Sequence, residues 1–127
     1  MAPFKDSLLN FENCLSLLRV SLQKDLSDPT ILAGIVKHFE LTFETCWKLL
    51  KSHLATNLGI QTLSPKDAFK SAYSAKVLDS EDLWLQMIGD RNLSVHVYSE
   101  EDARALVARI NKDYLQCFES VWKNLKN

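Results

Sequence analysis

The sequence predicts an all-α fold, an antiparallel bundle of about five helices of the four-helix up-and-down type. Apolar residues recur three and four positions apart over long stretches, and no segment alternates apolar and polar residues long enough to compete as a strand. Only three glycines and three prolines punctuate the 127 residues. Two of those prolines, Pro29 and Pro65, follow Asp28 and Ser64. Aspartate and serine cap helix N-termini, and proline in the first turn gives up an N–H that has no helical partner there.

The first helix is expected from about Phe4 to Lys24, with Leu8, Phe11, Leu15, Leu18 and Leu22 in a heptad-like stripe. Asp28 caps a second helix that spans the domain. Ile35, Phe39, Phe43, Trp47, Leu50 and Leu54 mark its buried face, and Gly59 ends it. Ser64-Pro65 opens a shorter third helix through about Ala75 that carries Ala68, Phe69, Ala72 and Tyr73. Ser80, followed by Glu81 and Asp82, starts a fourth. Ser99 and Asp102 approximate a capping box for a last long helix whose stripe is Ala103, Leu106, Ile110, Tyr114, Cys117, Val121 and Leu125.

A chain of this length is expected to form one domain, residues 1–127, with a hydrophobic core that needs neither disulfide nor metal. Cys14, Cys46 and Cys117 are odd in number and sit in apolar helical segments, so they read as reduced core thiols. The N-terminus lacks a basic region followed by an apolar one, and no apolar run approaches membrane-spanning length, which predicts a cytoplasmic protein. Fifteen basic and sixteen acidic side chains leave a net charge of −1. That balance gives no basic footprint for non-specific nucleic-acid binding, so any RNA contact must be local or shared with another chain. There is no phosphate-cradling glycine loop and no paired His/Cys spacing for zinc, and His38 and His53 lie too far apart to share an ion. No metal or cofactor is expected.

The chemistry concentrates in Gly89-Asp90-Arg91-Asn92-Leu93-Ser94-Val95-His96-Val97-Tyr98. Leu83, Trp84, Met87 and Ile88 form an apolar stripe whose continuation lands on Arg91, Val95 and Tyr98, placing a fixed charge where burial is expected. Such an arginine needs an acidic partner, a phosphate or another chain. On a straight helix Arg91 and His96 would point about 140° apart and lie about 7.5 Å apart along the axis. Either the helix breaks between Asn92 and Val95, or a twofold axis sets Arg91 of one subunit against His96 of the other. Asn92 and His96 share a face, so the amide can orient the imidazole. A guanidinium that binds a phosphate beside an imidazole that moves a proton suits phosphodiester chemistry on RNA. The competing structural reading closes a salt bridge from Arg91 to Glu40 or Glu44 on the second helix.

Phe39-Glu40-Leu41-Thr42-Phe43-Glu44-Thr45-Cys46-Trp47-Lys48, then Ser64-Pro65-Lys66, then Trp84 through Tyr98 with Asp90-Arg91-Asn92-Leu93-Ser94-x-His96-x-Tyr98 at its heart, resemble the nucleotidyltransferase substrate-binding family of the HEPN superfamily. The resemblance covers nearly the whole chain. It implies a homodimer of helical bundles, partnered with a minimal nucleotidyltransferase as a toxin–antitoxin or two-subunit system. It further implies that Arg91 and His96 are the catalytic pair of a metal-independent endoribonuclease lining a cleft shared by two subunits. Asp90, Asn92, Glu40 and Glu44 are its supporting residues, and Tyr98 matches a tyrosine that the partner enzyme modifies with AMP. The family name carries the alternative, a non-catalytic subunit that presents substrate to the nucleotidyltransferase.

Overall fold

A computed structural model describes residues 3–97 and 99–126. Six helical segments follow one another: α1 (Pro3–Leu22), α2 (Pro29–Leu58), α3 (Pro65–Ser74), α4 (Asp82–Ser94), α5 (Glu100–Arg109) and α6 (Leu115–Leu125), with a π-helical turn, Ile110–Tyr114, joining the last two. Because that turn keeps α5 and α6 in one rod, the molecule is a five-helix, all-α bundle. No helix among the described residues is long and apolar enough to cross a membrane.

The expected caps form. Asp28 accepts the Thr30 N–H at 2.9 Å, Ser64 the Asp67 N–H at 3.2 Å, and Ser99 the Asp102 N–H at 3.0 Å. Each satisfies a donor that the helix itself leaves unpaired. Gly59 ends α2 with φ +67°, a left-handed conformation that glycine adopts without steric cost, and the Ile60 N–H returns to the Leu54 carbonyl at 2.9 Å. Ser80 stands just outside α4, which begins at Asp82, and its hydroxyl accepts the Leu83 N–H at 3.4 Å.

Side-chain contacts set the up-and-down order. Thr42 on α2 donates to the Cys14 carbonyl of α1 at 3.2 Å. Trp122 and Glu119 of α6 meet Glu12 and Arg19 of α1, each at 3.0 Å, and Arg104 of α5 donates to the Leu26 carbonyl at 2.8 Å, so the last rod runs antiparallel to α1. α4 runs antiparallel to that rod in turn, with α3 a short helix between α2 and α4. The exposed ion pairs contribute little, about 0–1 kcal/mol each. Apolar burial dominates.

Phe39 of α2 sits at the core's centre, stacked on Tyr114 with 5.7 Å between centroids and tilted against Phe118 at 6.2 Å. Phe43, Phe69 and Trp84 continue the cluster, the last pair 4.8 Å apart, and tie α3 and α4 to α2. The predicted stripes hold at Phe11, Leu15, Leu18 and Leu22 on α1 and at Ile35, Phe39, Phe43, Leu50 and Leu54 on α2. Leu8, Leu83 and Ile88 are half-buried, and four further positions depart from the expected stripes. Trp47 is only half-buried because α2 turns it outwards, where the Lys51 ammonium lies 5.7 Å from its ring. Tyr73 is exposed on the outer face of α3. On the last rod Phe118 is fully buried in place of the half-buried Cys117. The shift follows the π-turn, whose Leu115 N–H reaches back five residues to Ile110, while Val121 and Leu125 stay buried as expected. Val95, the fourth, is taken up below.

The three cysteines are free thiols, but only Cys46 is a core residue, whereas Cys14 and Cys117 are half-buried. Burial pushes the Cys46 thiol well above its ordinary value. It also raises Cys117 to about 11, with the carboxylates of Asp113 and Asp79 adding to the effect.

Candidate functional site

α4 carries the motif, and neighbouring elements hold it from two sides. Trp84, Met87 and Ser94 are its buried residues. Near the C-terminal end, the Asp90 carboxylate takes a two-pronged bond from Arg109 of α5, Nε to Oδ2 at 2.8 Å and Nη2 to Oδ1 at 2.9 Å. The Tyr114 hydroxyl donates to the same carboxylate at 2.5 Å and accepts from the Gln86 amide at 3.0 Å. On the other side, the Ser94 hydroxyl meets Glu40 of α2 at 2.5 Å and lies 2.7 Å from the Arg91 carbonyl.

A π-turn makes the first clamp possible. Arg109 and Tyr114 are five residues apart and on a straight α-helix would diverge by about 140°. Hydrogen bonding from i to i+5 closes most of that angle, and both side chains reach Asp90. Burial, then the bond to Asp90, pushes the Tyr114 phenol above its ordinary value, and the Asp90 bond raises Arg109 further. A phenol whose folded-state pKa is raised keeps its proton better in the native protein than in the unfolded chain. Its contribution to stability is therefore complete below the ordinary tyrosine value of about 10 and is lost as pH rises above it. Urea midpoints measured between pH 9 and 11 are expected to fall more steeply for the native sequence than for Tyr114→Phe.

The helix ends at Ser94, within the interval where one of the two arrangements open to Arg91 and His96 puts a break. The chain then tightens, with the His96 N–H on the Leu93 carbonyl at 2.9 Å and the Val97 N–H on Ser94 at 3.3 Å. This is why the apolar stripe fails at Val95: the residue leaves the helix, is 56% exposed, and Ser94 takes the inward position instead. Tyr98 lies outside the described residues.

Arg91 follows Trp84 and Met87 on the inward-leaning face and is half-buried. The salt bridge to Glu40 or Glu44 is not formed among the described residues. Glu40 is engaged by Ser94, and Glu44 pairs with Lys48 at 3.4 Å. Arg91 Nε is instead buried with no hydrogen-bond partner among the described residues. Such an orphan costs roughly 1–3 kcal/mol unless something outside the chain meets it.

His96 is exposed and lines a depression of about 320 Å³ with Asp90, Leu93, Asp102, Leu106 and Arg109. Arg91 is not among the residues that line this depression. Asn92 is exposed beside them. Among the described residues no three His, Cys, Asp or Glu side chains gather so as to hold a metal ion.

Arg109, Tyr114, Gln86 and Ser94 are not marked as site residues by the sequence. One signal is present: a tyrosine on a core stripe must find a partner for its hydroxyl. Which polar residue supplies it depends on the π-turn, and periodicity does not show that turn.

Known proteins match this architecture. A crystal structure of a Thermus thermophilus protein superposes with a TM-score of 0.85 at 32% identity, covering 92% of this chain and 99% of that one. A mutant MntA-HpeT toxin–antitoxin has a chain that matches at 0.78 and 17% identity, over 97% of this chain and 96% of its own. A Haemophilus influenzae structure, described as revealing the fold of a substrate-binding domain of a nucleotidyltransferase, matches at 0.72 and 22%, over 98% and 97%. At these last two identities the likeness is one of fold. In sequence, the chain is 26% identical over 98 residues to the Haemophilus influenzae protein named Probable ribonuclease HepT, a match spanning 74% of this chain and 66% of that relative's length. The family model described as "Nucleotidyltransferase substrate binding protein like" matches residues 6–127. With motif, fold and family model in agreement, the chain belongs to the nucleotidyltransferase substrate-binding family of the HEPN superfamily.

Proposed function

We propose that this protein is the toxin subunit of a pair with a small nucleotidyltransferase, and that as a homodimer it cleaves RNA without a metal ion. The orphaned, buried Nε of Arg91 carries the reading. Arg91 is half-buried near the end of α4 with Nε lacking a partner among the described residues, and a guanidinium so placed suits an anion or a second subunit, the former supplied by a scissile phosphate. The exposed His96 imidazole can serve as proton donor and acceptor. Leu93 and Val95, 64% and 56% exposed on the same segment, give two chains an apolar surface on which to meet and set the motifs across one cleft. A sequence relative named as a probable ribonuclease supports the same chemistry.

In this scheme the RNA 2′-hydroxyl attacks the adjacent phosphorus. The new P–O2′ bond forms as the P–O5′ bond breaks, one His96 accepts the 2′ proton, and the other donates a proton to the leaving 5′ oxygen. Arg91 neutralises charge on the phosphate oxygens. The products are a 2′,3′-cyclic phosphate and a 5′-hydroxyl end. Incubating purified protein with mixed RNA in EDTA, then analysing the 3′ ends, tests the scheme. Cyclic phosphate ends are expected. A folded dimer that leaves RNA intact would overturn it in favour of a non-catalytic subunit that presents substrate to the nucleotidyltransferase.

The partner silences the toxin in this reading by moving AMP from ATP to the Tyr98 hydroxyl, forming an O–P bond and releasing pyrophosphate. A bulky anion this close in sequence to Arg91 and His96 would compete with RNA. Intact mass after incubation with the nucleotidyltransferase and ATP is expected to rise by one or more AMP units, and Tyr98→Phe is expected to abolish the rise.

A further inference from the structure

Arg109 is the one Lys or Arg among the described residues lining the depression that holds His96, and three side chains are spent on holding it still. Gln86 donates to Tyr114, Tyr114 to Asp90, and Asp90 fixes the guanidinium through Nε and Nη2 at 2.8 and 2.9 Å. Asp90 is 13% exposed, Arg109 42%. Nη1 lies outside the pair with Asp90. A brace between α4 and α5 alone would be served by a lysine or by two apolar side chains. What arginine adds is a second direction of donation in a fixed plane.

We propose that Arg109 is a second phosphate-binding residue of the RNA site, contacting through Nη1 a phosphate next to the scissile one while Asp90 holds its plane. This rests on the ribonuclease reading above and adds a residue outside the Arg91–His96 motif. Asp102 also lines the depression, and repulsion from its carboxylate favours a phosphate on the Arg109 side. The bond is charge-assisted despite the ion pair, because Asp90 occupies the other edge of the guanidinium.

The test is a double-mutant cycle on binding. A short single-stranded RNA, 2′-O-methylated throughout so that it cannot be cut, carries one uncharged methylphosphonate walked along its length. Affinities are measured by fluorescence anisotropy for the native sequence and for Arg109→Lys, which keeps the charge opposite Asp90 but not the fork. At one linkage the native protein is expected to lose about tenfold in affinity and Arg109→Lys much less, since its contact is already gone. Arg109→Gln combined with Asp90→Asn, two neutral partners, is expected to behave as Arg109→Lys does, and thermal melts confirm that each variant is folded. Additive losses at every linkage would overturn the role of Arg109 while leaving the ribonuclease reading intact. Failure of the native protein to bind or cleave any RNA would overturn both.

Discussion

Replacing His96 with alanine is expected to slow RNA cleavage in EDTA by about 10²- to 10⁴-fold, the usual contribution of a positioned general acid or base. Because His96 is exposed beyond the end of α4, the melting temperature is expected to stay close to that of the native protein. The two readouts together separate chemistry from folding. Arg91→Lys provides the companion measurement. It keeps a positive charge but loses the planar fork, so cleavage is expected to fall although the charge balance does not change. Cleavage by His96→Ala at the native rate would remove the imidazole from the mechanism.

Asp90→Ala is expected to have the largest effect on stability among substitutions at the site, a loss of about 2–3 kcal/mol, below the 3–5 kcal/mol that removing one member of a fully buried pair can cost. Three groups depend on that carboxylate: both nitrogens of the Arg109 fork and the Tyr114 hydroxyl. Arg109 is exposed enough to recover water, which lowers the figure. The Tyr114 hydroxyl is not so placed. It is enclosed in the core and would keep only Gln86. For a chain of this size the loss corresponds to roughly 10 °C in melting temperature. Asp90→Asn retains an acceptor for Tyr114 and is expected to fall about half as far. Thermal or urea unfolding of the three proteins checks the order. Equal stability of Asp90→Ala and the native sequence would mean that the network contributes nothing to folding.

The two measurements address different layers of the molecule. The His96 N–H meets the Leu93 carbonyl in the turn after α4, and Asp90 is held by side chains from α5 and the π-turn. Asp90→Ala is therefore expected to impair cleavage as well, by loosening the end of α4 that presents both motif residues. His96→Ala leaves that scaffold in place.

Local and periodic features were legible in the residues alone. Asp28, Ser64, Ser99 and Gly59 mark helix ends because capping is a matter of a few adjacent residues. Phe11, Leu15, Phe39 and Phe43 mark buried faces because a 3.6-residue repeat writes burial into spacing. The stretch from Asp90 to Tyr98 was readable as a motif, and together with the Phe39–Lys48 segment and Ser64-Pro65-Lys66 its resemblance to a known family was enough to name the superfamily. The role of each polar side chain in that motif came instead from how the helices pack. Glu40 bonds Ser94 and not Arg91, because the helix ends at Ser94 and brings that hydroxyl against α2. Arg109 and Tyr114 converge on Asp90 because a π-turn overrides the α-helical angle between residues five apart. Side-chain partnership across helices is set by rotation and register, to which a single inserted residue makes a difference of about 100°. Hydrophobic periodicity tolerates such a shift by substituting Phe118 for Cys117 in the core, and so it leaves no trace in the apolar pattern from which the fold is read.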